Sequence, residues 1–256
     1  MSDVEPLFFA QAALYGCIHR SSSPATTGAV LIAPLFGELI QHHRAYYVLA
    51  EALADAGVPV IRYDHYGTGD SQGDLDDASV GRWVDDVASA CQALVARTAV
   101  TRVHLIGARL GAAVAVAAAP RIGRAAGIVL WEPVRDGASH LAELLTTHRR
   151  VLGVYTDGNG DHGTREVLGF EIGPRLWDEL ERFDPSVARL SPMVDVSVFA
   201  TRKTLAKWQA PDGYASWSCE EVQHPRGWLD PEEGMYDVLV PAAVVSGISK
   251  WIQARL

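Results

Sequence analysis

Five residues, Gly107-Ala108-Arg109-Leu110-Gly111, constrain the fold of this chain more than any other stretch. They join a short apolar run, Val103 to Ile106, to an alanine-rich segment, Leu110 to Ala119, in which a helix is expected. A run that short and apolar, closed by glycine, reads as a buried strand, so the five residues must carry the chain from strand to helix in one tight turn. Glycines on both sides of residue 109 let strand and helix approach closely around a strained backbone. The residue between them is arginine, permanently protonated and able only to donate hydrogen bonds. It can neither attack a carbonyl nor accept a proton.

Three further runs, Ala29 to Ala33, Val58 to Tyr63 and Gly127 to Trp131, are bounded by Pro, Asp or Gly and read as buried parallel strands. Arg44 to Ala56 and Gly81 to Arg97 lie between them at helical length. Strand and helix alternating at this spacing predict an α/β fold, a mostly parallel central sheet with helices on both faces. After Pro133 the pattern changes. Ala138 to Leu152 reads as a helix and Asp157 to Gly163 as a turn-rich stretch, so a small cap or lid insertion is expected over about 134–190. Val194 to Ala200 and Ala215 to Val222 read as the last two strands, and Val240 to Arg255 as a closing helix. With 48% hydrophobic residues among 256, the whole of 1–256 is expected to form one domain.

Thirty-one acidic side chains against 22 basic ones give a formal charge of −9, without a basic stripe, so neither nucleic acid nor an anionic membrane is an expected partner. Cys17, Cys91 and Cys219 are widely spaced and predict neither a disulfide framework nor a zinc site. His42 and His43 are adjacent, so their side chains diverge on a helix, and no metal or cofactor is expected. The first residues lack a basic and then apolar leader, and no apolar run reaches the length of a membrane span, which predicts a cytoplasmic chain. The expected partner is a small-molecule or peptide substrate, with a second copy of the chain or a pathway enzyme as the candidate protein partners.

Three landmarks stand in order: Pro34-Leu35-Phe36-Gly37-Glu38 after an early strand, Asp64-His65-Tyr66-Gly67-Thr68-Gly69-Asp70-Ser71-Gln72-Gly73 after the next, and the turn at 107–111. Together they resemble the α/β-hydrolase superfamily, in particular its serine aminopeptidase-like branch, whose D-x-x-G-x-G-x-S-x-G loop is similar to the middle landmark. In that family the turn is a G-x-S-x-G elbow holding the nucleophilic serine, and here Arg109 takes the serine's place. A closer resemblance is to hydrolase-like proteins associated with exosortase systems, one group of which has an Arg-Leu-Gly elbow and a following strand ending Trp-x-Pro-Val. Arg109-Leu110-Gly111 and Trp131-Glu132-Pro133-Val134 match those features, and Glu166 to Glu171 (Glu-Val-Leu-Gly-Phe-Glu) is a third echo. The fold also includes members that lack the catalytic triad and perform non-hydrolytic chemistry, epimerisation in peptide natural-product pathways among them.

The resemblance implies roles by position. The oxyanion donors would be the backbone N–H groups of Leu110 and Phe36, which need no particular side chain. His224 lies just past the proposed last strand and would be the family's histidine; with a different strand register that place falls near Met235 or Tyr236. Glu132 or Asp136 would supply the acid after the nearer strand, and Asp212 after the later one. Arg109 either pairs with Glu38 or Glu132 or holds a substrate carboxylate or enolate oxygen on its planar fork. Glu38 is also a candidate base. Phe36, Tyr66, Trp131 and Trp177 are candidate walls of an apolar pocket. Ser71 and Cys91 have no evident base beside them. The leading function is an isomerase, epimerase, cyclase or lyase acting on a peptide or other carbonyl-containing metabolite. An inactive binding protein and a weak ester, thioester or peptide hydrolase are the alternatives.

Overall fold

The structure is a computed structural model that describes residues 3–153, 166–208, 217–225, 228 and 240–256. The turn-rich stretch 157–163 and the candidates Asp212, Met235 and Tyr236 lie outside the described residues.

Among the described residues one sheet of eight strands is built from β1 (Asp3–Phe9), β2 (Leu14–Arg20), β3 (Thr27–Ile32), β4 (Val60–Tyr63), β5 (Arg102–Ala108), β6 (Ala125–Trp131), β9 (Asp195–Ala200) and β10 (Trp217–Glu221). Its order is β1-β2-β4-β3-β5-β6-β9-β10. Pairing is parallel from β4 to β10, while β2 runs antiparallel to both β1 and β4. A separate two-stranded hairpin, β7 (Glu166–Val167) with β8 (Phe170–Glu171), lies between β6 and β9 in sequence.

The inner strands are buried on both faces, as every residue of β3 is, because helices cover the sheet on either side. On one face, α1 (Gly37–Asp55) and the last helix, α7 (Ala242–Gln253), pack Leu49, Leu53, Val244 and Ile248 over Leu31, Ile106 and Val129. On the other, α2 (Val80–Arg97) presents Val80, Trp83, Val84, Val87, Cys91 and Leu94, an apolar stripe at helical spacing. The Ser79 hydroxyl caps it by accepting the Arg82 N–H at 3.1 Å. Between α2 and the sheet runs α3 (Leu110–Ala118), buried almost all round, and its small side chains suit that central place. The connection from β6 to β9 carries α4 (Gly137–Gly153), the β7–β8 hairpin and α5 (Pro174–Arg182). After β9, Thr201 caps the short helix α6 (Arg202–Leu205).

The expected α/β-hydrolase architecture is therefore the observed one. The β1–β2 hairpin has no counterpart among the expected elements, and its turn explains why: Ala10, Gln11 and Ala12 all have positive φ without a glycine or asparagine to announce it. Helix α1 also begins earlier than Arg44, at Gly37. That places Glu38 in the first turn of the helix rather than in the turn before it.

Strand order fixes where a site can form. From β3 the chain goes to β4 on one side and then returns to β5 on the other, so the segments that leave the carboxyl ends of β3 and β5 diverge and open a crevice there.

One inner side chain couples the fold to pH. His104 on β5 is 1% exposed, its ring meets Trp251 of α7 edge to face at 5.7 Å, and neither ring nitrogen has a hydrogen-bond partner among the described residues. Burial pushes its pKa down to about 4. The unfolded chain then binds a proton that the folded one refuses, so stability present above about pH 6.5 is lost as pH falls towards 4, by about 3 kcal/mol for this residue. His104→Leu is expected to flatten the dependence of unfolding free energy on pH between 6.5 and 4 by that amount, measured by urea denaturation. An unchanged slope would contradict it.

Candidate active site

Arg109 is the junction between β5 and α3. Its backbone sits at φ 52°, ψ −122°, a conformation that side chains rarely adopt. The two glycines make that turn feasible by close approach: a Cβ on Gly107 would lie 2.3 Å from the Gly111 carbonyl oxygen, and one on Gly111 would lie 2.4 Å from that of Ile32. Two neighbouring strands end the same way, with Phe36 at φ 57° after β3 and Glu132 at φ 45° after β6. Such backbone costs about 1–3 kcal/mol per residue, and its concentration at three strand ends marks one place in the molecule.

The Arg109 guanidinium, 8% exposed as a residue, is engaged on all three nitrogens. Nε donates to Glu38 Oε1 at 2.7 Å, Nη2 to Glu143 Oε2 at 2.8 Å and Nη1 to the Glu132 carbonyl at 3.3 Å. Burial alone would raise the Glu38 carboxyl, but the Arg109 guanidinium beside it, with His140 close by, outweighs that and holds it below the ordinary range. His140, on α4 and buried, places Nε2 3.4 Å from Glu38 Oε2. Arg109, in turn, is pushed up by its two carboxylates against the opposing effect of burial, so it stays charged. Glu143 and His140 are not among the sequence candidates. A signal for them existed, since they stand three apart on the helix expected over 138–152 and therefore share a face.

The second half of the site joins the ends of β6 and β10. Glu132 is 0% exposed, and its carboxylate accepts from the Thr201 N–H, from Thr204 Oγ1 at 2.5 Å and from His224 Nε2 at 3.0 Å. Burial favours the neutral acid, but the bonds from His224, Thr204 and Thr201 together hold Glu132 below the usual carboxylate range. A carboxylate only accepts, so Nε2 of His224 must carry the proton. Nδ1 is buried and has no hydrogen-bond partner among the described residues. The imidazole stacks on Trp131 at 6.1 Å and on Trp228 at 6.0 Å, with the two indoles themselves nearly parallel. His42 of α1 closes this aromatic group at 5.1 Å from Trp131 and 4.9 Å from Trp228, its Nδ1 bonded to the Glu38 carbonyl at 2.8 Å. Burial takes its pKa down to about 4, so it is neutral at neutral pH.

The sequence candidates thus fall into two groups. Arg109, Glu38, Glu132 and His224 are brought together, and Leu110 and Phe36 hold the two turns that flank them. The Leu110 N–H is the first of α3, where helical donors lack a partner in their own helix. Trp131 is wholly buried, its ring against His42 and Tyr46 of α1 and stacked on Trp228, and Trp177 of α5 packs half-buried against the core. Phe36 is buried with its ring 5.8 Å from that of Phe170. Tyr66 is placed elsewhere, against α2: its ring lies under Arg82 at 4.1 Å and its carbonyl accepts from the Trp83 indole at 3.0 Å. Asp136 is committed to the start of α4, where its Oδ1 accepts the Ser139 N–H at 2.6 Å. Ser71 serves its turn, donating to the Asp64 carbonyl at 2.6 Å, and Cys91 is buried in α2.

Residues 24–157 match the family model described as serine aminopeptidase, S33, which is more than half of the chain, and the chain belongs to that family. Similar solved structures include a thermostable carboxyl esterase from Bacillus coagulans with glycerol bound, at 13% identity and a TM-score of 0.66, covering 100% of this chain and 99% of that one. Est1E from Butyrivibrio proteoclasticus with ferulic acid bound is similar at 10% identity and a TM-score of 0.64, covering 94% and 95%. An esterase from Pyrococcus furiosus is similar at 12% identity and a TM-score of 0.64, covering 100% and 91%. At these identities the likeness is one of fold. The curated proteins contain no match to the sequence. Among the described residues no helix is long and apolar enough to cross a membrane.

The Arg109–Glu38 pair yields a stability prediction. Arg109→Met leaves the Glu38 carboxylate without its cation and is expected to cost about 3–5 kcal/mol in chemical denaturation. Adding Glu38→Gln should return most of that loss, because the orphaned charge is then gone. A double variant as unstable as the single one would show that packing, not the ion pair, carries the junction.

Proposed function

We propose that this chain is a non-hydrolytic acid–base enzyme of the α/β-hydrolase fold, in the arginine-elbow group that its Arg-Leu-Gly and Trp-x-Pro-Val segments resemble. It would act as an isomerase, epimerase, cyclase or lyase on a peptide or other carbonyl-containing metabolite. The observation that carries this reading is the His224–Glu132 pair, a buried imidazole and carboxylate 3.0 Å apart beside an elbow that holds arginine instead of a nucleophile.

Because the Nε2–H of His224 donates to the Glu132 carboxylate, the Nδ1 lone pair of His224 is the base. It would remove a proton α to a carbonyl. The C–H electron pair would become a carbon–carbon π bond as the carbonyl π pair moves onto oxygen, and the proton would rest on Nδ1 until it returns to the product. Leu110 and Phe36 N–H groups would hold the enolate oxygen, since donors fixed before the reaction stabilise charge that develops during it. With every guanidinium nitrogen bonded, Arg109 acts as a fixed positive floor rather than a mobile clamp. The arginine at position 109 cannot form an acyl-enzyme.

A second reading, a binding protein without turnover, is favoured by that same saturation of Arg109, with Glu143 of α4 laid over the elbow. The two separate in deuterium oxide with a panel of peptides, esters and thioesters. Enzyme action is expected to place deuterium at an α-carbon, with His224→Ala slowing exchange by about 10²-fold or more, and fluorophosphonate is expected to leave the protein unlabelled. A covalent ester on the chain would overturn the non-hydrolytic reading, and bound ligand without exchange would select the binding protein.

A further inference from the structure

A cavity of about 230 Å³ lies on the α1 face of the sheet, between α1 and the strands β2, β3 and β4. It is distinct from the His224–Glu132 pair, so its chemistry stands independently of the function proposed for that pair. Arg62 of β4, half-buried, lines it, directly across the ladder from Cys17 of β2. Arg62 makes no ion pair within 4 Å among the described residues, and burial pulls its pKa down despite the opposing charge of Asp64 nearby. A guanidinium in such a place is costly unless something anionic meets it.

The arginine is also held in one orientation. Its Nε donates to His19 Nε2 at 2.9 Å, and His19 Nδ1 lies 2.9 Å from Glu51 Oε1. Since Nε2 accepts, the His19 proton is on Nδ1 and directed to Glu51, which aligns carboxylate, imidazole and guanidinium in a relay. The Tyr47 ring supports the guanidinium at 5.2 Å. With Nε occupied, the two Nη nitrogens form the end-on fork that matches a carboxylate. Tyr15, whose hydroxyl is 3.6 Å from Cys17 Sγ, and His42, whose Nε2 is buried without a hydrogen-bond partner among the described residues, line the same cavity.

We propose that this cavity is a carboxylate-binding site, in which a small monoanionic acid or the C-terminal carboxylate of a peptide takes the Nη fork of Arg62. The other charged groups that line the cavity set the ligand's charge. Asp64 and Asp70 also line it, Asp64 Oδ2 accepting the Asp70 N–H at 3.0 Å, and two acids against one arginine disfavour a doubly charged phosphate.

The test is an amide NMR titration of the whole protein with acetate, benzoate, inorganic phosphate and one short peptide made with a free and with an amidated C-terminus. Saturable shifts at Tyr15, Cys17 and Arg62 with a carboxylate are expected, weakened at least about tenfold by Arg62→Gln, with phosphate weaker. The simple acids and the free peptide separate the two sources of carboxylate. In a Cys219→Ser background, bound carboxylate is expected to slow alkylation of Cys17, and this readout on unaltered Arg62 decides the matter if Arg62→Gln fails to fold. Absence of saturable shifts and of Cys17 protection, equal binding by Arg62→Gln, or equal binding of the amidated peptide would overturn the proposal.

Discussion

A guanidinium buried where β5 turns into α3 must be neutralised in place, and much of the site's arrangement derives from that requirement. Arg109 draws Glu38 from the first turn of α1, Glu143 from α4 and the backbone carbonyl of Glu132 to its three nitrogens. Each partner comes from a different segment, so one side chain ties the elbow to a covering helix, to the connection beyond β6 and to the end of a neighbouring strand. A serine at the same position would impose none of this. The arginine at 109 is the fastener of the crevice.

Beside that fastener a second buried charge is kept. Glu132 remains a carboxylate because three donors surround it, and one of them, His224, is thereby given a defined tautomer. Burying an acid and an imidazole together requires that the desolvation of both be met by bonds of good geometry, and the Thr201, Thr204 and His224 donors supply them. Strain points to the same place: Phe36, Arg109 and Glu132 all hold positive φ at the carboxyl ends of β3, β5 and β6. The Gly107 and Gly111 contacts leave the elbow little room to relax.

Much of this is legible in the sequence, for reasons that differ by element. The buried strands and the α2 stripe declare themselves because apolar runs and helical spacing are local signals. The elbow is legible because two glycines at fixed spacing have few other uses between a strand and a helix. Glu38, Glu132 and His224 can be named as candidates because each comes soon after a strand end. Their pairing cannot be read, since which carboxylate meets Arg109 and which meets His224 depends on how α1 and the last strand sit on the sheet. The β1–β2 hairpin escapes because its turn uses alanine and glutamine at positive φ. His140 and Glu143 escape because a helix in a covering segment gives no local sign of which strand end it reaches. Tyr66, named as a candidate pocket wall, lies against α2, where it meets Arg82 and Trp83, a placement that depends on how the loop packs rather than on any local pattern.

The ring tautomer of His224 is the decisive quantity. Long-range nitrogen–proton NMR on imidazole-labelled protein near neutral pH reports which ring nitrogen carries the proton. A bare Nδ1 with the proton on Nε2, reverting to a mixture of forms in Glu132→Gln, is the expected result, and it would establish a poised base beside an elbow without a nucleophile. A proton on Nδ1, or a tautomer indifferent to Glu132, would contradict it.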